Sequence, residues 1–367
     1  MRPLLGWTVL VPLVLMACST YSSASFEALR EQNEKEVAAL FRRVRVYDDP
    51  QLTEYLASVG GRLGLAGRVN VTVIQDPTLG AFAMPGGRVF VHSGLLSAIE
   101  NEAQLALIIA RESAHDASRL AVREGRAPMS TVASSPTGAA LLGLDLRLAI
   151  AAAVDGYGPR GERAADVEAR RRLTTAGYDP DEGAKLFGLL SAEQVDRAGL
   201  AEMFFYANRA RMSERLAVWR EPIGERGPAR ADVGEFARRM RPLVRDNAAL
   251  DLRAGRFALA RRQLDRVLAE AGDDAIAQLN YGELYRLRSQ RAEGAERAEA
   301  VQRAVERYQR AVELDPHYAE PFRQLALLHF QEGDRARARA ALERYLALAA
   351  DGPDARRVRA FLAILGQ

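Results

Sequence analysis

Small residues recur in register through the last third of the chain, and few folds accommodate that pattern. Ala248 precedes Ala260 by twelve positions, and Ala326 precedes Ala338 by the same interval. Gly255-Arg256 stands before Ala260 as Gly333-Asp334 stands before Ala338. Between these units lies a third, in which Gly282 precedes Ala304 by twenty-two positions. Ten residues are therefore inserted there, mainly in the charged stretch Arg288 to Glu299. Leu314-Asp315-Pro316 closes this middle unit with a proline that ends a helix. Small side chains at a fixed interval across a turn are what two closely packed helices need, and repeating the pair builds a solenoid. A closing helix is expected from Ala355 to Leu365.

The chain ahead of these repeats is punctuated differently. Apolar positions recur at helical spacing from Phe26 to Val46, and a second helix is expected from Gln51 to about Leu65. Val71-Thr72-Val73-Ile74 has the β-branched pattern of a strand within Asn70 to Gln75, closed by Asp76-Pro77. Gly86-Gly87 opens a second strand, Arg88 to His92, which ends at Ser93-Gly94. A long helix is expected from about Glu102 to Glu124, followed by a Gly/Pro/Ser-rich break at Gly125 to Gly138 and an apolar helix at Ala139 to Val154. Asp145 and Arg147 mark that last helix as core packing rather than a membrane span.

With 367 residues the chain has room for two or three domains. Its net charge is only +3, and arginine supplies nearly all the positive charge, since Lys35 and Lys185 are the only lysines. The single cysteine, Cys18, ends the run Leu15-Met16-Ala17-Cys18. Arg2, a short apolar stretch and small residues at the cut read as a secretory signal, too short for a membrane span. The Leu-x-Ala-Cys ending resembles a bacterial lipobox, which implies a lipidated Cys18 as the first mature residue. By the same resemblance Ser19 favours the outer membrane. Ser19 to Ser25 read as a tether, and export from the cytoplasm argues against nucleic acid as a partner.

Arg111-Glu112-Ser113-Ala114-His115 has the shape of the zinc-peptidase motif H-E-x-x-H with its first histidine replaced. In that motif two histidines one helical turn apart hold the metal, and the glutamate serves as base towards the bound water. Arg111 stays protonated and has no lone pair to offer a metal. The surrounding blocks are Gly80-Ala81-Phe82-Ala83-Met84-Pro85-Gly86-Gly87, Gly94-Leu95-Leu96, Glu162-Arg163-Ala164-Ala165-Asp166 and Ala176-Gly177-Tyr178-Asp179-Pro180.

In order and spacing these blocks resemble the zinc metallopeptidase (gluzincin) family of the CAAX prenyl protease, the heat-shock protease HtpX and the periplasmic outer-membrane-assembly proteases. The resemblance spans roughly Phe26 to Arg220, and the repeats beyond it resemble tetratricopeptide repeats. It implies an α+β chain: a mostly helical peptidase domain with a small sheet, followed by an α-solenoid. The plan expected is a signal peptide at 1–17, a tether at 18–25, a metallopeptidase-like domain at 26–225, a linker helix at 226–245, three repeats at 246–354 and a capping helix at 355–367.

Carried over residue by residue, Glu112 matches the general base, His115 the second zinc ligand, Glu162 the third, and Asp166 the carboxylate that orients a ligand. Arg111 stands at the first ligand, Ala110 replaces a glycine, Gly80 replaces an asparagine, and Arg209 stands where a downstream histidine belongs. Of the four histidines, His317 and His329 fall in the repeats, with His329 at a core-facing position. His92 ends a strand that flanks the family's cleft and reads as an exposed strand-end histidine rather than a substitute ligand. Two retained ligands hold zinc weakly at best. Arg111 is expected to pair with Glu162 or Glu112 as a counter-charge in the metal's place. The resulting expectation is a membrane-tethered pseudopeptidase on the periplasmic face of the outer membrane. It would hold unfolded or assembling envelope proteins along the edge strand Arg88 to His92 and on the repeats. The alternative is an active zinc endopeptidase that degrades misassembled envelope proteins.

Overall fold

A computed structural model describes residues 31, 34–84, 86–114, 158–196, 216–220 and 233–365. The expected Gly125–Gly138 break and Ala139–Val154 helix lie outside those residues, as do Cys18, His115 and Arg209. The chain divides into two compact units, Met1–Val233 and Gly234–Gln367.

The first unit is built around a small sheet covered on both faces. A helical segment at 34–41 is followed by α1 (Pro50–Arg62), β1 (Asn70–Ile74), β2 (Ala81–Met84), β3 (Arg88–His92), α2 (Ser93–Ala98), α3 (Glu102–Ala114), α4 (Gly158–Thr175) and α5 (Asp181–Asp196). Asp49 starts α1, its side chain accepting the Leu52 N–H at 3.0 Å, with Pro50 at the position where a missing N–H costs nothing. The strand order is β1-β3-β2, with β1 parallel and β2 antiparallel to β3. Ile74, Phe82, Met84 and Phe90 form one core cluster with Val37 and Leu40 of the 34–41 helix. Phe82 and Phe90 stack at 5.1 Å. The opposite face rests on α3, whose residues Leu105 to Ala110 are all fully buried.

Two sequence expectations change here. The strand Ala81–Met84 was not anticipated, because Ala-Phe-Ala-Met lacks β-branched residues and is buried on both faces, so no alternation marks it. Arg88–His92, expected at the edge, is the central strand, bonded on both sides. The two outer strands are instead β1, which Val46 bridges at Ile74, and β2, which pairs with no further strand among the described residues although all four of its residues are buried. The His92 N–H donates to the Gly80 C=O at 2.8 Å, so by antiparallel alternation the backbone groups of Ala81 and Ala83 point away from β3. The β2–β3 turn needs its glycines: Gly86 and Gly87 have φ of 87° and 73°, and a Cβ on Gly87 would lie 1.9 Å from the Arg68 carbonyl oxygen.

The second unit comprises α6 (Val233–Arg253), α7 (Phe257–Glu270), α8 (Ala275–Ser289), α9 (Gly294–Leu314), α10 (Glu320–Gln331), α11 (Arg335–Leu348) and α12 (Ala355–Leu365). The helices pair as the repeat requires. Ala248, Ala260, Ala304, Ala326 and Ala338 are each fully buried, and a Cβ on Gly282 would meet the Tyr308 ring at 2.5 Å. Gly255 and Gly333 adopt φ of 74° and 82°, after which Arg256 N–H reaches Asp251 C=O and Asp334 N–H reaches His329 C=O. These are matching helix-ending turns, and they account for the repeated Gly-x pair. The inserted residues lengthen helices rather than forming a loop, since α9 has 21 residues where α7 and α11 have 14. A single helix, α6, runs across the expected boundary between linker and first repeat and takes Pro242 within it.

Candidate functional site

Helix α3 carries the motif, and its N-terminus is fixed from several sides. Asn101 accepts the Gln104 N–H at 3.0 Å, and the Gln104 side chain accepts the Glu100 N–H at 2.9 Å. These caps satisfy donors that the helix leaves over. The buried Glu102 carboxylate accepts from Tyr55 at 2.6 Å, Arg62 at 2.6 Å and Tyr178 at 2.7 Å. Burial, reinforced by the bond to Glu102, pushes the Tyr178 phenol up to about 12. Gly177, at φ 78°, turns the chain after α4 so that Tyr178 N–H bonds the Leu173 C=O, which aims the phenol at α3. The Ala-Gly-Tyr block therefore locks α4 against α3.

At its other end α3 holds the arginine. Arg111 and Glu112 are 3% exposed, and Asp166 is 0% exposed. Arg111 Nη1 donates to Glu112 Oε1 at 2.5 Å, and Arg111 Nε donates to Asp166 Oδ1 at 3.3 Å. Asp166 reaches this place because it shares a stripe with Ala165, Ala169 and Leu173, the buried face of α4 that packs on α3. A carboxylate in a core stripe is costly without a cationic partner, and Arg111 is that partner. The expected partners of Arg111 were Glu162 and Glu112. The structure gives Glu112 and adds Asp166, which sequence reasoning had assigned to orienting a ligand. Glu162 lies in α4, with its side chain outside the described residues.

A cleft of about 420 Å³ opens over this point. It is lined by Ala83, Met84 and Val89 of the sheet, Gly86 and Gly87 of the turn, Leu65, Arg68 and Val69 ahead of β1, Glu112 and Ser113 of α3, and Arg172 of α4. Arg68 and Arg172 were not singled out from the sequence, where nothing set them apart among many arginines. Arg172 pairs with Glu168 at 2.7 Å and reaches the Leu63 C=O at 3.3 Å.

His92 is placed differently from the sequence reading. It is 5% exposed, three residues beyond Val89, the last β3 residue to line the cleft. Its Nδ1 lies 2.7 Å from Thr78 Oγ1, which itself donates to Asp76 Oδ1 at 2.6 Å. Since the Thr78 proton goes to the carboxylate, Nδ1 of His92 is the donor to Thr78. Burial holds the imidazole pKa below its ordinary value, against the opposing pull of Asp76. A Cβ at Gly80 would sit 2.5 Å from the ring, so Gly80 makes room for His92.

A metal at the motif needs a donor lone pair at position 111. The guanidinium there has none and already occupies the Glu112 carboxylate, so the described residues do not fit a zinc ion in its usual place. Among the described residues no group of three His, Cys, Asp or Glu side chains converges.

Comparison with known proteins agrees with this architecture. Residues 48–222 match the model described as peptidase family M48, and residues 292–363 match a tetratricopeptide repeat model. The beta-barrel assembly-enhancing protease of Escherichia coli K12 is 28% identical over 186 residues, which cover 45% of this chain and 38% of that one. The mitochondrial metalloendopeptidase OMA1 of Saccharomyces cerevisiae is 28% identical over 168 residues, 41% of this chain and 46% of that one. OMA1 of Schizosaccharomyces pombe is 49% identical over a shorter stretch of 47 residues, 13% of this chain and 14% of that one. The chain thus spans less than half the length of these relatives. Residues 48–222 are accordingly a peptidase family M48 domain, and a tetratricopeptide repeat follows further along the chain.

Proposed function

We propose that this chain is a pseudopeptidase, one that holds extended segments of envelope proteins in the cleft of an M48 domain without cutting them. The observation that carries this reading is the bond from Arg111 to Glu112. The guanidinium brings no lone pair to the position of the first metal ligand, and it draws Oε1 of the neighbouring Glu112 into a buried ion pair at 2.5 Å, so the base position lacks the metal ligand it would act beside. The same guanidinium also holds the buried Asp166, so Arg111 stands as a counter-charge to two carboxylates where the family keeps a ligand. The cleft of about 420 Å³ over Glu112 and Ser113 is where such a segment would lie, and holding it there needs no metal. The bacterial relatives are named for β-barrel assembly, which supports outer-membrane proteins as the held segments. A lipid on Cys18 would tether the domain at the periplasmic face of the outer membrane. The repeats offer a second surface for the same clients.

The test is zinc content per chain by elemental analysis, together with casein cleavage, for the unmodified protein and for Arg111→His. The expected result is sub-stoichiometric zinc and no cleavage for the unmodified protein, with metal gained only by the variant. Stoichiometric zinc with cleavage in the unmodified protein would overturn the proposal. It would favour instead an active endopeptidase that uses His115, Glu162 and a further ligand with Glu112 as base.

A further inference from the structure

Two arginines of the stretch inserted in the middle repeat reach outwards, one to the repeat on each side. α9 has 21 residues where α7 and α11 have 14, and the extra ones lie at its start, ahead of Ala304. The α8–α9 hairpin therefore projects past its neighbours by about 10 Å of helix. Arg288 and Glu296 face each other across its tip at 3.7 Å. Arg291, in the turn, lies over the Phe257 ring at 4.6 Å, and its Nη2 would stand 3.3 Å from a Cβ on Gly255. Arg297, on the extra part of α9, takes both oxygens of Glu332: Nη1 donates to Oε2 at 3.3 Å, and Nη2 donates to Oε1. Gly255 belongs to the helix-ending turn of the first repeat, just ahead of Phe257 at the start of α7. Glu332 directly precedes Gly333 in the matching turn of the third. One hairpin thus touches the same turn in both neighbours.

We infer that the insertion works as a strap, tying the turns of the first and third repeats to the middle hairpin so that the outer repeats open less often on their own. Solenoid repeats otherwise meet only through helix packing between neighbours, and an outer repeat can open without the rest. The strap adds a second line of contact, made at the turns and separate from the buried alanines. Each link is weak, since exposed ion pairs and cation–π contacts contribute little one at a time. Opening of an outer repeat is also a low-energy event, so a weak link changes its frequency severalfold while the global fold stays as it is. A surface spread over three repeats is then kept in one shape before a partner arrives, which lowers the ordering cost of binding. The strap lies wholly within the repeat unit and is independent of the holding role proposed for the M48 domain.

The experiment is native-state hydrogen exchange of the full chain, read peptide by peptide by mass spectrometry. Three variants are compared with the parent: Arg291→Ala, Arg297→Ala, and the charge swap that combines Arg297→Glu with Glu332→Arg. Arg297→Ala is expected to speed exchange in α10 and α11 by about threefold and to leave α6 and α7 unchanged. Arg291→Ala is expected to do the reverse, by about the same factor. The charge swap is expected to return α10 and α11 to the parent rate. Unchanged exchange in both single variants overturns the inference. Equal acceleration in every helix of the unit also overturns it, because the arginines would then be general stabilisers. So does a charge swap that leaves α10 and α11 as fast as Arg297→Ala does, since the ion pair would not be what Arg297 supplies.

Discussion

Each unit sets an arginine against a buried aspartate, and the two pairs are finished in different ways. In the repeat unit Asp251 is wholly buried and takes three donors: Arg256 at 2.6 Å, Gln263 at 2.8 Å and Asn247 at 3.1 Å. Asn247 also donates to Gln263, so neutral amides close the network among themselves. In the M48 unit Arg111 faces two carboxylates, and one of them, Glu112, lines an open cleft. The first arrangement pins the register of one helix pair. The second keeps a charged group at a surface where a ligand can meet it. Burial of charge alone does not mark a site; burial at the wall of a cleft does.

The sharpest way to break this comparison is to delete one charge from each pair. Asp251→Ala leaves Arg256 facing two amides, and Arg111→Ala leaves Glu112 and Asp166 buried together. Each is expected to lower stability by about 3–5 kcal/mol in chemical denaturation, the usual cost of removing one partner of a buried pair. The two should then diverge when zinc is added. A histidine at 111 is expected to gain melting temperature with zinc, whereas Arg256→His is not. Equal responses to zinc would mean that the cleft arginine is structural in the same sense as the repeat arginine.

Close packing at glycines gives a second, smaller contrast. Gly282 admits the Tyr308 ring in the repeats, and Gly80 admits the His92 ring in the sheet, each with a Cβ distance of 2.5 Å. Ala substitution at either is expected to cost about 1–3 kcal/mol through overpacking. At Gly80 the loss should shrink when His92→Ala is combined with it, because the ring is what the Cβ meets. A double-mutant cycle on denaturation midpoints measures this. Purely additive losses would show that Gly80 is required for its backbone instead.

How much of this was readable in advance differs between the units. The repeats were legible in detail, because Ala260, Ala304 and Ala338 each fill one helix contact and the pattern recurs. Even the insertion was visible, although not that it would extend α9 rather than form a loop. The site was legible only in outline. Arg111 stood out against a motif, and its carboxylate partnership followed from charge balance. Asp166 as direct partner did not, since its place depends on how α4 rolls on α3. β2 was missed and β3 misplaced at the edge for one reason: a sheet covered on both faces loses the alternation that shows which strand is outside. His92 read as exposed because nothing in the sequence joins it to Thr78 and Gly80, which approach it only when β3 pairs with the chain ahead of β2.

The smallest expected effect separates the two units by pH. His92 in the sheet and His329 in the repeats both have imidazole pKa values held below the ordinary one, in each case chiefly by burial. Asp76 faces His92 and opposes the shift; Asp334 opposes it at His329, while Arg337 adds to it. A histidine kept neutral in the fold contributes no penalty above the unfolded value of about 6.5. Below that value the unfolded chain takes up the proton first, so stability falls as pH falls, by at most about 1.4 kcal/mol per pH unit for each histidine. His92 is fully buried and His329 only partly so, hence the slope between pH 6.5 and 5 should come mainly from the sheet. His92→Gln is expected to flatten the pH dependence of the M48 unit's unfolding, followed by near-ultraviolet circular dichroism, more than His329→Gln does. The reverse order would mean that the Thr78–Asp76 pair shelters a protonated His92, and that the acid-sensitive unit is the solenoid.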